Sequence, residues 1–147
     1  MSDKNEFDNT SPLGALLFIF HKNQHKYISD SLEKYDLNIN QALFLLRMYY
    51  SEEYLCQEDL ADTFYLTKGA VAKSLKKLEE NGFVLRERLD DDKRKYILIL
   101  SSKGENMIPI IQEINKDWES KMSLNELDKD FMETFKDLTS KAIELNQ

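Results

Sequence analysis

Apolar residues recur along most of this chain at the spacing of a helix, and over one short stretch at the spacing of strands. Leu13, Leu16, Leu17, Phe20, Tyr27 and Ile28 follow the helical period. Ser11-Pro12 ahead of them places an N-cap residue before a proline at the first helical position, so a first helix is expected to reach about Lys34. Asn38-x-x-Gln41 has the form of a capping box and opens a second helix carrying Ala42, Leu43, Leu45, Leu46 and Tyr49. Gln57 to Phe64 reads as a short third helix with Leu60, Ala61 and Phe64 on its buried side. Thr67 suits the N-cap of a fourth helix that runs to Asn81, where Gly82 supplies the stop. Then the period changes. Phe83–Leu89 and Tyr96–Leu100 are rich in strand formers and are separated by the charged stretch Asp90–Arg94, a β-hairpin pattern. Ser102-x-x-Glu105 caps a fifth helix through Trp118, with Pro109 expected to kink it. Ser123-x-x-Glu126 caps a sixth, with Leu127, Phe131, Phe135, Leu138, Ala142 and Leu145 at spacings of three and four.

The expected class is therefore mainly α with one small β-hairpin. Only four glycines and two prolines interrupt 147 residues, which favours helices, and 41% apolar composition supports a packed core. Residues 1–10 are polar and acidic and read as a mobile tail without signal-peptide character. Residues 11–147 read as one domain. The apolar run Leu13–Phe20 is far too short to cross a bilayer. A single cysteine excludes an internal disulfide framework. No membrane association is expected, and the compartment read from this pattern is the cytoplasm.

Charge changes the picture once it is divided. The net charge of −7 argues against coating nucleic acid through bulk charge. Residues 65–100, however, hold nine bases and six acids, a net of +3, while the remainder holds 11 bases and 21 acids, a net of −10. The positive segment coincides with the third and fourth helices and the hairpin, the order of a winged helix-turn-helix. On a wheel of the fourth helix, Val71, Leu75 and Leu78 share one side. Gly69, Ala72, Lys73 and Lys76 share the opposite side, flanked by Ala70 and Lys77. Small side chains let a helix backbone sink into the major groove, and alanine methyls can meet thymine methyls. Lysines reach phosphates or guanine edges, and the helix N-terminus at Thr67 and Lys68 offers free amides and partial positive charge. An ordinary solvated helix face would show the same lysines, but this one lacks acids until Glu79 and Glu80.

Thr67-Lys-Gly-Ala-Val-Ala-Lys-Ser-Leu-Lys-Lys-Leu-Glu-Glu-Asn-Gly82-Phe-Val-Leu-Arg86, then Asp92-Lys-Arg94, then Leu100-Ser-Ser-Lys-Gly104, resembles the MarR family of winged helix-turn-helix regulators. The resemblance covers roughly residues 12–145. It implies a homodimer, with residues 11–36 and 101–147 as dimerisation helices and residues 38–100 as the winged part. Each subunit would read half of a pseudo-palindromic double-stranded DNA operator, and the protein would be a ligand-responsive repressor. By the same resemblance Arg94 matches the wing arginine that enters the minor groove, and Asp92 the acid that orients it. A guanidinium suits a narrow groove of negative potential. Lys93 and Lys95 flank them. Ser101 stands where threonine is usual, a harmless N-cap exchange by that resemblance, and Gly69 costs about 1 kcal/mol of helix propensity relative to alanine. Phe20, Gln24, Phe44, Met48 and Arg86 are the resemblance-based positions for a small phenolic or lipophilic effector, and core packing is the competing use of the apolar ones.

Other chemistry is thinly supplied. His21 and His25 share a helix face, but no acid or cysteine at helical spacing completes a metal shell. No metal and no cofactor are expected. The glycines at 14, 69, 82 and 104 are too dispersed for a phosphate-binding loop, and no nucleophile–base order is marked out, so an enzyme is not expected. Cys56 stands where serine or threonine would cap the third helix, and a thiol near a helix N-terminus has a lowered pKa. Two alternatives stay open at this point: a winged-helix protein-interaction module without DNA binding, and a cysteine-based redox-responsive regulator.

Overall fold

A computed structural model describes residues 12–89 and 92–147, with the backbone alone for 89 and 92–95. The expected tail and Ser11 lie outside the described residues. Among the described residues, six α-helices flank or carry a two-stranded antiparallel hairpin: α1 Leu13–Leu32, α2 Ile39–Tyr50, α3 Gln57–Phe64, α4 Lys68–Glu80, β1 Val84–Leu89, β2 Asp92–Leu100, α5 Ser102–Lys121 and α6 Lys129–Glu144. Two compact units divide the chain, one ending at Ile114 and one spanning Asn115–Gln147.

The first unit holds the core. Leu32, Phe44, Leu45, Leu60, Val71, Leu75, Leu78, Val84, Ile108 and Ile111 are almost wholly withdrawn from water. They come from α1, α2, α3, α4, β1 and α5, and buried Leu98 adds β2, so every element of the winged part contributes to the core. α1 ends at Leu32, and a 3-10 turn over Glu33–Tyr35 then closes on Asp36 in the left-handed region. The Asn38–Gln41 capping box forms reciprocally, with backbone-to-side-chain bonds of 2.9 and 2.8 Å. Leu43 faces outward, whereas Gln41 is buried and donates to the Ser74 carbonyl of α4 at 3.5 Å.

The starts of β2, α5 and α6 differ from the sequence expectation, and α5 runs on to Lys121 rather than ending at Trp118. β2 begins at Asp92, so it takes up residues assigned to the loop; pairing slips after Arg88↔Tyr96 to Leu89↔Asp92, an irregularity that lets the ladder extend past the apolar run. α5 is capped by Ser101 rather than Ser102: the Gly104 amide donates to Ser101 Oγ at 3.1 Å. α6 starts later than the Ser123 pattern implies. Ser123 adopts φ 55° and leads a 3-10 turn over Leu124–Glu126. Asp128 is the cap, accepting from the Phe131 amide at 2.9 Å. A cap needs extended backbone, which Asp128 has and Ser123 does not.

The second unit carries an amphipathic α6. Phe131 and Phe135 stack with ring centroids 6.2 Å apart. They, Met132 and Leu138 are 43–50% exposed within the chain.

Candidate nucleic-acid interface

The helix-turn-helix is built from local chemistry. α3 closes on Tyr65, which takes the left-handed conformation at φ 55°, unusual for a bulky residue. The Leu66 amide then returns to the Ala61 carbonyl at 3.1 Å. Thr67 is extended and its Oγ1 accepts from the Ala70 amide at 3.1 Å, starting α4. At the far end Gly82 has φ 79°, and the Phe83 and Gly82 amides donate to the Leu78 and Glu79 carbonyls. That pair of bonds is a Schellman closure, which the glycine permits. Lys103 Nζ donates to the Asn81 carbonyl at 2.7 Å and lies over the Phe83 ring, and Ser101 Oγ bonds the Gly82 carbonyl. The end of α4 is thereby tied to the start of α5. A side chain at Gly104 would meet the Phe83 carbonyl oxygen, so these segments pack backbone to backbone.

Val71, Leu75 and Leu78 are fully buried on α4, joined by Ser74. Thr67, Lys68, Gly69, Ala70, Lys73, Lys76 and Lys77 are exposed and Ala72 is half-buried. The structure therefore brings the helix residues singled out from the sequence onto one solvent-facing surface. Open space surrounds the Gly69 Cα where a methyl would sit. Asp92, Lys93, Arg94 and Lys95 lie on β2, and their side chains are outside the described residues.

The five effector positions lie on three elements: Phe20 and Gln24 on α1, Phe44 and Met48 on α2, and Arg86 on β1. Phe20 on α1 is 48% exposed, while Phe44 is fully buried with its ring 5.7 Å from that of Phe64. Gln24 is half-buried on α1. Met48 lines an open cavity of about 530 Å³ with Tyr49, Tyr54, Leu55 and Leu98. Arg86 has two partners: its Nε lies 2.6 Å from Glu79 Oε1, an ion pair off the hydrogen-bond line, and its Nη2 donates to Gln57 Oε1 at 3.3 Å. Pattern reading missed Gln57 and Glu79 as partners of Arg86, because contacts 29 and seven residues apart leave no local spacing signal.

Cys56 departs from the expectation of a lowered pKa. Partial burial, then the hydrogen bond from Sγ to Asp59 Oδ2 at 3.1 Å, push the thiol above its ordinary value. The Asp59 carboxylate also accepts from the Cys56 amide at 2.8 Å, so the residue works as half of a cap. The His21 and His25 rings stand edge to face with centroids 5.9 Å apart, and among the described residues no group of three or more metal-binding side chains converges. No described helix is long and apolar enough to cross a membrane.

The family model for the transcriptional regulator SarA/Rot matches residues 26–111, which takes in α2–β2 and parts of the helices before and after them. The chain belongs to the SarA/Rot family. This SarA/Rot-family chain is 30% identical over 145 residues to the HTH-type transcriptional regulator SarZ of Staphylococcus saprophyticus, covering 96% of this chain and 98% of that one. It superposes on a crystal structure of MarR with TM-score 0.80 and 31% identity, over 95% and 96% of the two chains. A Staphylococcus aureus MepR–DNA complex shares the fold at TM-score 0.79 and 20% identity, over 93% and 99% of the chains. The MarR resemblance and the winged helix-turn-helix architecture both hold. The SarA/Rot-family chain is a DNA-binding regulator of transcription.

Proposed function

We propose that this regulator binds double-stranded DNA as a homodimer, each α4 entering the major groove of one half of a pseudo-palindromic operator. The wing arginine Arg94, oriented by Asp92, enters the flanking minor groove, with Lys93 and Lys95 beside it. Residues 38–100 are the reading part, and residues 11–36 and 101–147 supply the dimer contacts. Occupancy occludes the promoter, and a small phenolic or lipophilic effector releases it by favouring a dimer geometry with a different half-site spacing. The protein acts without catalysis, in the cytoplasm.

One observation carries this reading: the exposed face of α4 holds small residues and lysines, free of acids from Lys68 to Lys77, on a helix fixed at both ends. The MepR structure, solved with DNA, supports it through the shared fold. Selection of bound duplexes from a random pool tests it. The expected product is a pseudo-palindrome with half-sites about 10 bp apart; no enrichment would point to a protein-interaction module instead. On the selected duplex, Arg94→Ala should weaken binding by about 1–3 kcal/mol. Unchanged affinity at moderate salt would remove Arg94 from the site.

A further inference from the structure

One guanidinium touches three elements of the winged part. Arg86 projects from β1; its Nε pairs with Glu79 in the last turn of α4 at 2.6 Å, and its Nη2 donates to Gln57 in the first turn of α3 at 3.3 Å. Gln57 in turn donates from Nε2 to the carbonyl of Lys68, the first residue of α4, at 3.5 Å. The chain Glu79–Arg86–Gln57–Lys68 thus links both ends of α4 to the first strand of the wing. Glu79 and Arg86 keep 29% and 27% of their side chains exposed, so water screens the pair only partly. The broad, planar guanidinium meets two partners at once here, Glu79 by charge and Gln57 by a hydrogen bond.

We propose that Arg86 is a positioning residue for DNA binding: it fixes the angle between the wing and α4, so that groove-reading helix and wing meet the duplex together. The inference rests on the DNA-binding reading above. The gain is one of preorganisation, since a wing held in place before encounter loses less freedom on binding. Glu79 gains a role with it. An acid beside a phosphate-binding face repels DNA by charge alone, yet here it anchors the wing.

The test compares Arg86→Met and Glu79→Ala with the native chain on the selected operator, at temperatures where circular dichroism shows all three folded. Each should weaken binding by about tenfold, the coupling one tertiary contact carries, and the double variant should bind no more weakly than either single one. For Glu79→Ala this is opposite to what removal of a negative charge does electrostatically. Paired nitroxide labels at Asp62→Cys and Glu87→Cys, in a Cys56→Ser background diluted with unlabelled protein, read the hold without DNA. The distance distribution should broaden in both variants. Unchanged width, or tighter binding by Glu79→Ala, overturns the proposal; loss of binding with Arg86→Met alone overturns it too, and would mean that Arg86 itself meets DNA. A native chain that binds no duplex would instead sink the DNA-binding reading.

Discussion

Gly69 sits on the exposed face of α4 with nothing within 4 Å of an added methyl. Inside the protein it has no packing reason to be glycine, and it weakens its helix by about 1 kcal/mol relative to alanine. Gly69→Ala should therefore raise the unfolding free energy by about 0.5–1 kcal/mol in denaturant titrations, while lowering operator affinity if the bare backbone approaches DNA. A variant both more stable and equally tight would reduce Gly69 to a tolerated weak spot. Cys56 gives a pH prediction. Its thiol pKa is raised in the folded chain, so the stabilisation is complete below the unfolded value and fades as pH rises through the folded one, above about pH 8.5. Cys56→Ser should flatten that alkaline loss in chemical unfolding curves. Iodoacetamide should also modify the native thiol more slowly than free cysteine at neutral pH; faster labelling would restore the redox-sensor alternative. At this scale the sequence was uneven as a guide. The α4 face was legible because one helical wheel contains it. The raised thiol was not, because it depends on Asp59 and on burial rather than on the helix terminus alone.

Among elements, those with strong caps were readable in advance. Asn38 with Gln41, and Thr67 with Gly82, bracket α2 and α4 as expected, and α3 runs over the expected residues. Boundaries failed where two residues competed for one job. Ser101 and Ser102 both suit a cap, and the tie was broken by the Ser101 bonds to Gly82 and Phe83 across the fold. Ser123 lost to Asp128 because its backbone is left-handed. The turn between Phe64 and Thr67 was readable, but the left-handed backbone of Tyr65 was not, since tyrosine carries no propensity for that conformation. The exposed stripe of α6 makes the element-scale prediction. Phe131, Phe135 and Leu138 are 43–50% exposed in the single chain, and a second copy is the proposed cover. Phe131→Asp with Phe135→Asp should convert a dimer to a monomer in sedimentation equilibrium. Separating the paired half-site readers should then lower operator affinity by about two orders of magnitude. A dimer that survives both changes would place the interface elsewhere.

For the whole molecule, the net charge of −7 conceals an uneven distribution. Residues 65–100 carry +3 and the rest −10, so a basic reading surface is set in an acidic frame. The residues outside that segment repel DNA on balance, and non-specific affinity should be low relative to specific affinity. The fold class was legible from the ordered period changes and the family resemblance. The Arg86 link was not, because it joins α3, α4 and β1 only after they pack. The measurement that tests the central claim most directly is the slope of log affinity against log salt for the selected operator, in the native chain and in Lys73→Ala and Lys76→Ala. If the α4 face meets phosphates, each substitution should flatten the slope by about one unit for every phosphate left without its lysine. Slopes identical to the native chain in both variants would contradict the account and leave that face merely solvated.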